Sequence, residues 1–257
     1  MLHPLQDRDR LRALYAADPL KTIRVRNILY GLRSNNVRVL VDDCARPHGA
    51  LVSQDGLLWD LYAPDPTVAR AMLDAFDPGS HRAILVGLPD YLEEHVRSRF
   101  AVITCTPTDL YVLADPADLR GLRPADEPLA ELTPDHAELV AKIWPHDDYD
   151  DPSRKVAYIR SCIELSAGVA RLQGDRPVSF ALIHSDGAMG ILHTEPELRG
   201  RGLARVVVSA LMRKLVARGA PVFGFVAVGN VASASLVESM GLRPVQRGAW
   251  ITVQNRI

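Results

Sequence analysis

Short apolar runs alternate along the chain with longer segments in which apolar residues recur every three or four positions. The first pattern is typical of strands and the second of amphipathic helices. In the first half, the patterns predict helices over 5–17, 66–76 and 91–100 and strands over 37–41, 49–52, 57–62, 82–86 and 111–113. In the second half, they predict helices over 133–143, 154–165, 202–219 and 231–240 and strands over 170–173, 178–184, 188–194, 221–228 and 250–253. This alternation indicates an α/β protein with a mixed sheet.

A proline-dense polar stretch lies near the middle of the chain. Pro116, Pro124, Pro128 and Pro134 stand there among aspartates, glutamates and glycines. Such a composition is typical of a linker. The sequence therefore predicts two domains, residues 1–124 and residues 125–257, with a boundary near Pro124.

A glycine-rich, arginine-bearing turn separates the predicted strand 188–194 from the predicted helix 202–219. The first N–H groups of a helix lack intrahelical partners and carry a partial positive charge, so the start of a helix favours an anion. Gly200 and Gly202 let the backbone approach that anion with no side chain in the way. The turn over residues 194–204 predicts a pyrophosphate site, with a purely structural turn as the alternative.

The spacing within this turn distinguishes it from other phosphate-binding motifs. Arg199, Gly202 and Ala204 follow the pattern Arg-x-x-Gly-x-Ala. The Walker P-loop and the dinucleotide-binding fingerprint both have different spacings. The residues around the turn resemble the Gcn5-related N-acetyltransferase (GNAT) superfamily, in which this turn holds the pyrophosphate of an acyl-coenzyme A.

A second motif follows at the expected distance. The predicted strand 221–228 ends before Asn230, which is placed to cap the next helix, and that helix stops at Gly241. Asn230, Ser233, Leu236 and Gly241 resemble the closing motif of the superfamily. Strand, turn, helix, strand, capped helix and final strand also follow one another in the order of the family.

Other stretches resemble the glycine N-acyltransferase branch of this superfamily. They cover residues 136–144, 158–163, 176–180 and 194–199, and two upstream fragments are residues 28–31 and 61–66. The resemblance is firm from about residue 132 onward. It implies a GNAT fold for residues 125–257 and a degenerate GNAT-like fold for residues 1–124, which lack the glycine-arginine turn and are assigned no coenzyme site.

The resemblance also implies a function and a set of site residues. It implies an N-acyltransferase that moves an acyl group, above all acetyl, from acyl-CoA to the amine of a small molecule or amino acid. The coenzyme-binding residues carried over are Leu192, His193, Thr194, Arg199, Gly200, Arg201, Gly202, Leu203, Ala204, Asn230 and Ser233. Backbone N–H groups of residues 192–194 would polarise the thioester carbonyl as an oxyanion site does. The alternative is that these three are ordinary strand positions.

The general base is where the sequence departs from the family. Ala188 stands where many relatives have a glutamate, and Val237 stands where many have a tyrosine that protonates the thiolate. His193 is the candidate catalytic residue, because histidine titrates near neutral pH. Its side chain should point to the face opposite Thr194, so a hydrogen-bonded structural histidine is the alternative. Other candidates are His184, Asp186, Glu195 and a water relay.

No metal site is predicted. The acidic run over residues 146–151 lacks the glycine and glutamate positions of a calcium-binding loop and is interpreted as a solvated loop beside the acceptor site. An acidic rim there would favour a cationic amine. Cys44, Cys105 and Cys162 are odd in number and far apart, which indicates neither a disulfide frame nor a zinc site.

Composition excludes several functional classes. The net charge of −1 disfavours a nucleic-acid or acidic-membrane surface. The first residues lack the apolar core of a signal peptide, and no apolar run is long enough to cross a bilayer. We therefore expect a soluble cytoplasmic enzyme that acts on a small-molecule amine. The sequence does not decide between a monomer and a homodimer. The second function class is a non-catalytic acyl-CoA-binding or regulatory module, which the absence of the usual glutamate and tyrosine makes plausible.

Overall fold

The computed structural model describes residues 1–31, 37–144, 151–166 and 168–256. They form two compact units, and both units are discontinuous in sequence. The first contains Met1–Val112, Phe225–Val231 and Pro244–Ile257, and the second contains Leu113–Gly224 and Ala232–Arg243. Helices and strands occur in each unit, which confirms the α/β class. A domain boundary near Pro124 stays a prediction.

An eight-stranded mixed sheet is the frame of the first unit. In spatial order its strands are β1 (His3–Pro4), β2 (Arg38–Val41), β3 (Ala50–Ser53), β4 (Leu58–Tyr62), β5 (Ala83–Pro89), β12 (Arg243–Gln254), β6 (Ala101–Val112) and β11 (Phe223–Ala227). β4 and β5 run parallel, whereas β1 to β4 form an antiparallel meander and β12 pairs antiparallel with β5. The parallel step requires a crossover between β4 and β5, which a helix supplies.

Among its described residues, the first unit contains the α-helices α1 (Arg12–Ala16), α2 (Ile23–Arg26), α3 (Pro66–Ala75) and α4 (Glu93–Arg99). α3 is the crossover helix, and Asp65 caps it by accepting the N–H of Thr67 at 2.7 Å. The apolar side of α3 and α4 packs in one core with β5 and β12. The region predicted as a helix over 5–17 is a 3-10 turn (Arg8–Leu11) followed by the short α1, so that helix was predicted too long.

Two strands are longer than predicted. The patterns indicated strands over 111–113 and 250–253, but β6 begins at Ala101 and β12 at Arg243. The first half of β6, Ala101–Thr106, consists of half-buried and exposed residues with no buried face to mark it as a strand. It is held by cross-strand partners instead: the hydroxyls of Thr104 and Thr252 lie 2.7 Å apart.

The second unit is built on a four-stranded antiparallel meander. Its strands, in spatial order, are β10 (Met189–Thr194), β9 (Arg176–Ile183), β8 (Val169–Gln173) and β7 (Ala130–Glu131). Its helices are α5 (Ala137–Ile143), α6 (Pro152–Ser166), α7 (Leu203–Ala217) and α8 (Val231–Ser239). α5 and α6 share a core with Phe180, Leu182 and Ile191, whereas α7 packs against β8, β9 and β10 without joining that core. We infer that α7 covers the opposite face of the meander, because side chains alternate along strands.

The predicted linker is an ordered part of the second unit. It contains a 3-10 turn (Pro116–Asp118) and β7, and its backbone is fastened to helices. The N–H of Arg123 donates to Ser209 Oγ on α7 at 2.9 Å, and the N–H of Arg120 donates to the carbonyl of Met240 at 3.3 Å. Proline and charge content indicate a coil but say nothing about what the coil packs against, so these contacts were not predicted, and the linker stays a prediction.

Candidate functional site

The outer edge of β10 presents backbone donors. The N–H of Glu195 donates to the carbonyl of Val178 at 2.9 Å, and Thr194 lies opposite Ser179. Residues along an antiparallel strand turn alternately toward and away from the partner strand. The N–H groups of Leu192 and Thr194 therefore face the edge away from β9, whereas that of His193 faces β9. Within the described residues β10 ends the four-stranded sheet, so two of the three predicted donors point out of it.

The glycine-arginine turn leads from this edge to the start of α7. Gly200 and Gly202 have φ angles of 75° and 80°, in the left-handed region that only glycine adopts readily. The carbonyl of Gly202 accepts the N–H of Val206 at 3.2 Å, which closes the first turn of α7. The N–H groups of residues 203–205 are thus the first donors of a 15-residue helix. The predicted anion site has the backbone geometry that such a site needs.

Several guanidinium groups surround this helix start. Arg199 donates through Nε to the outward carbonyl of Thr194 at 3.0 Å, and Arg201 reaches the carbonyl of Glu197 at 3.5 Å. Arg205 donates to the carbonyl of Gly121 at 2.9 Å. Side-chain cations fixed to carbonyl oxygens beside a helix N-terminus make the turn electropositive.

Arg123 is a fourth cation at this turn, and the sequence did not indicate it. Its Nη1 donates to the carbonyl of Arg201 at 3.4 Å, although the two residues are 78 positions apart. A Cβ atom built on Gly202 would lie 2.1 Å from the same Nη1. The Arg123 guanidinium therefore lies beside Gly202 at the N-terminus of α7. An arginine in a proline-rich segment carries no sequence signal for this role.

The closing motif is divided between the two units. Ser233 lies on α8 in the second unit, whereas Asn230 lies in the first unit, where its N–H donates to the carbonyl of Ala227 at 3.0 Å. α8 begins at Val231, the position predicted from capping by Asn230. The structure thus brings the turn and Ser233 into one unit, and a role for Asn230 at the coenzyme stays a prediction.

His193 and Thr194 face opposite sides of β10, as predicted. Thr194 Oγ1 lies 2.9 Å from Ser179 Oγ on the neighbouring strand. The His193 ring stacks on buried Phe180 at a centroid distance of 5.6 Å and an interplanar angle of 25°. Burial is the main cause that lowers the pKa of His193, and Arg199 adds to it. The imidazole packs on the α5–α6 side of the sheet, and its catalytic role stays a prediction.

We expect His193→Gln to lower kcat less than about tenfold, below the ~10²–10⁴ typical of losing a general base.

The lowered pKa of His193 means that the unfolded chain binds a proton at this imidazole more readily than the folded chain does. Stability from this group is therefore present at neutral pH and is lost as pH falls below ~6.5, the unfolded value. Steady-state kinetics and acid unfolding of both proteins measure the two effects. A folded variant that loses three orders of magnitude in kcat would show that His193 is the base.

The position of the missing glutamate is buried and apolar. Ala188 donates its N–H to Asp186 Oδ1 at 2.8 Å and accepts the N–H of His184 at 2.8 Å, so it closes the β9–β10 hairpin. Between Met189 and Ile191 the register shifts by one residue, which makes Gly190 a β-bulge. The alternation of faces breaks at a bulge. Gly190 therefore does not share a face with Leu192, contrary to the simple strand pattern.

The other carboxylate candidates already have structural partners. Asp186 is buried in the hairpin, where it accepts the N–H of Ala188. Glu195 forms an ion pair with Arg176. Both carboxylates therefore hold the ends of the hairpin strands.

Gly190 faces an aromatic cluster beneath α5 and α6. A Cβ on Gly190 would lie 2.3 Å from His184 Nε2, so the imidazole fills the space above this glycine. His184 Nδ1 lies 2.7 Å from the hydroxyl of Tyr158 on α6. Trp144, which is buried at the end of α5, lies 5.8 Å from the His184 ring. Sequence analysis named His184 as a candidate but gave no means to rank it, because its neighbours are far away along the chain.

Most of the acidic run lies outside the described residues. Only its last member, Asp151, is described, and it caps α6 by accepting the N–H of Ser153 at 2.8 Å. Among the residues that the structure describes, no group of histidine, cysteine, aspartate or glutamate side chains could hold a metal ion. The solvated-loop interpretation of residues 146–150 stays a prediction.

The first unit contains a cavity of about 560 Å³. Its lining includes Lys21, Arg24, Tyr62, Gly87, Phe225 and Arg247. The cations are paired with carboxylates: Lys21 with Asp18, Arg24 with Asp60, and Arg247 with Asp109. A cavity whose charges are already neutralised lacks the features that suit a pyrophosphate.

Comparison with known proteins agrees with this geometry. The family model for FR47-like proteins matches residues 168–251, which contain β9, β10, the turn and α7. Glycine N-acyltransferase of Bos taurus is 27% identical over 118 residues, which are 46% of this chain and 39% of the bovine protein. The chain thus spans about two fifths of that relative.

Solved structures share the fold. A crystal structure of a Drosophila malonogaster protein superposes with a TM-score of 0.76 at 16% identity and covers 98% of both chains. A tandem GNAT protein from the clavulanic acid biosynthesis pathway has a TM-score of 0.56 at 13% identity, over 98% of this chain and 97% of its own. Similarity to a tandem GNAT protein over almost the whole length confirms the predicted fold class. The chain shares the fold of Gcn5-related N-acetyltransferases and is similar to FR47-like proteins and to glycine N-acyltransferase.

Proposed function

We propose that the protein is an acyl-CoA-dependent N-acyltransferase that transfers an acyl group, above all acetyl, to the amine of a small molecule or amino acid. The observation that carries this proposal is the continuous run of donors from the outer edge of β10, through the turn, to the start of α7. Leu192 and Thr194 supply N–H groups at one end, and residues 203–205 supply them at the other. Such a run suits a ligand with a carbonyl at one end and a pyrophosphate at the other.

Each part of this run has a distinct task in acyl transfer. The helix start, with Arg123, Arg199 and Arg201 beside it, offsets the negative charge of the pyrophosphate. The edge N–H groups of Leu192 and Thr194 donate to the thioester oxygen and stabilise the charge that it gains when the amine attacks. Positioning of the two reactants at a fixed edge lowers the entropic part of the barrier.

A thiol-release assay tests the proposal. Acetyl-, propionyl- and benzoyl-CoA are each incubated with the protein and the twenty amino acids, and free coenzyme A is measured with a thiol reagent. We expect amine-dependent release of thiol for at least one pair. Failure of all pairs, together with binding of acyl-CoA in isothermal titration, would refute transfer.

The second candidate function is a non-catalytic acyl-CoA-binding module. The observation in its favour is that Ala188 and Val237 replace the usual acid–base residues. Binding without turnover in the assay above is the result that this candidate requires.

We expect one acyl-CoA molecule per chain, bound at the turn that precedes α7. The reason is that the cavity of the first unit has paired cations and no glycine-arginine turn. A crystal grown with excess acetyl-CoA measures the number and place of the ligands. A second acetyl-CoA among residues 1–112 would contradict the expectation.

The cellular compartment and the classes of partner are not tested by the comparisons, and we propose them from the sequence. None of the described helices is long and apolar enough to span a bilayer. We propose that the protein works in the cytoplasm on a small amine, without a nucleic-acid or membrane partner and without a metal. The mass in solution, from light scattering, distinguishes a monomer from a homodimer.

A further inference from the structure

The β-bulge at Gly190 leaves a place on β10 that an imidazole fills. Gly190 is exposed and has no side chain. Any Cβ on Gly190 would collide with His184 Nε2 at 2.3 Å. The bulge turns this part of the strand toward His184, and bulges often re-aim groups beside active sites.

The imidazole of His184 is held from two sides. Tyr158 on α6 holds Nδ1 at 2.7 Å, and Trp144 lies beside the ring at 5.8 Å. Tyr158 is itself stacked on Trp144 at 6.5 Å, so the three rings form one cluster. With Nδ1 occupied, the ring can turn only its Nε2 toward Gly190 and β10.

The outward backbone donors of β10 lie on the same strand as Gly190. Leu192 is two residues beyond Gly190, which corresponds to about 6–7 Å along a strand. A thioester oxygen bound at the Leu192 N–H would lie on the stretch of β10 that His184 Nε2 approaches at Gly190. The hydrogen bond at Nδ1 can fix the tautomer that leaves a lone pair on Nε2, if Nδ1–H donates to the Tyr158 oxygen.

We propose that His184 is the general base of the acyl transfer and that Tyr158 is its positioning residue. This inference rests on the proposed function, because it assigns a residue to that reaction. It replaces the role of the absent glutamate with a side chain that reaches β10 from the neighbouring strand.

The proton and electron balance of the step is simple. The amine nitrogen forms a bond to the thioester carbon, and its proton moves to His184 Nε2. The carbon–sulfur bond then breaks, and the electron pair leaves on the coenzyme A thiolate. The imidazolium returns the proton to this thiolate, so the products are the amide and free coenzyme A, and His184 is neutral again.

Several titratable groups surround this pair. α6 contributes Tyr158, Lys155 and Cys162, and the hairpin contributes Asp186. Lys155 donates to the carbonyl of Trp144 at 2.7 Å, and burial raises the pKa of Cys162 to about 12, so its thiol stays protonated at neutral pH. Neither Lys155 nor Cys162 is therefore suited to remove a proton from the amine near pH 7.

The test compares His184→Gln with the unchanged protein, using acetyl-CoA and the amino acid that releases thiol fastest. We expect kcat to fall by about 10²–10⁴, the usual loss for a general base, with little change in acetyl-CoA affinity by isothermal titration. The acid limb of the pH profile of kcat/KM should disappear. Tyr158→Phe should keep the acid limb of the kcat/KM profile but shift the pH of its midpoint. It should lower kcat less than His184→Gln does.

His136→Gln is the matched control. His136 Nδ1 accepts the N–H of Thr133 at the start of α5, and glutamine can make the same capping contact. This variant should keep the kcat and the pH profile of the unchanged protein. A His184→Gln variant with the same kcat and acid limb as the control would overturn the inference while leaving the proposed function intact. Absence of amine-dependent release in the unchanged protein would refute both.

A tautomer measurement keeps the inference testable if His184→Gln does not fold. Long-range ¹H–¹⁵N spectra of histidine-labelled protein report which ring nitrogen carries the proton, and Tyr158→Phe assigns the signal of His184. We expect the proton on Nδ1 in the neutral ring. A proton on Nε2 instead would leave no lone pair toward β10 and would overturn the inference.

Discussion

Replacement of Gly202 by valine is expected to weaken acetyl-CoA binding at least about tenfold, or roughly 1.4 kcal/mol. Two physical effects act together at this residue. Its φ of 80° is costly for a branched side chain, and a Cβ there would lie 2.1 Å from Arg123 Nη1. The valine would therefore displace the Arg123 guanidinium and occupy the space that we propose for the pyrophosphate. Isothermal titration with acetyl-CoA measures the change.

Gly219→Val is the control for backbone strain alone. Gly219 lies just after the other end of α7, also has a positive φ (65°), and has nothing within 4 Å of a built Cβ. This variant should lose stability and keep its acetyl-CoA affinity. Equal affinities for a folded Gly202→Val variant and this control would mean that the turn is only structural.

The turn and its helix could be predicted because their signals are local. α7 was predicted over 202–219 and is observed at Leu203–Ala217, between two glycines with positive φ. Helix start, glycine turn and C-terminal stop each depend on residues within four positions of one another. Local rules of this kind also placed α3, β10 and α8 within a few residues of their observed bounds.

The residues that complete the site are set by distant contacts and could not be predicted. Arg123 reaches the turn across 78 positions, and Tyr158 reaches His184 across 26. Nothing in the composition of either segment indicates such a partner. The first half of β6 was missed for a related reason, since its pairing with neighbouring strands decides its conformation.

The bulge at Gly190 shows how one backbone irregularity changes a mechanistic argument. Strict alternation would place Ala188, Gly190 and Leu192 on one face and leave no ionisable group beside the donors. The register shift turns Gly190 to the other face, where His184 lies, while His193 packs against Phe180. The sequence supplied both histidines as candidates, and the geometry of the strand distinguishes them.

Arg24→Met is expected to lower the free energy of unfolding by about 3–5 kcal/mol, the usual cost of removing one partner of a buried ion pair. The Arg24 side chain is 3% exposed and pairs with Asp60, which is 14% exposed. The two residues are 36 positions apart and join α2 to β4 within the first unit. The methionine would keep much of the packing volume but would take the Arg24 cation away from the Asp60 carboxylate, which is largely buried.

Urea unfolding followed by circular dichroism measures this loss, and two further variants define its cause. Arg97→Met breaks an ion pair with Glu93 on the surface of α4, where Arg97 is 49% exposed, so it should cost much less stability than Arg24→Met. The double variant Arg24→Met with Asp60→Asn should recover part of the stability, because it removes the stranded charge together with its partner. Equal losses for Arg24→Met and Arg97→Met, or no recovery in the double variant, would contradict the view that removal of the Arg24 cation from the Asp60 carboxylate is the source of the loss.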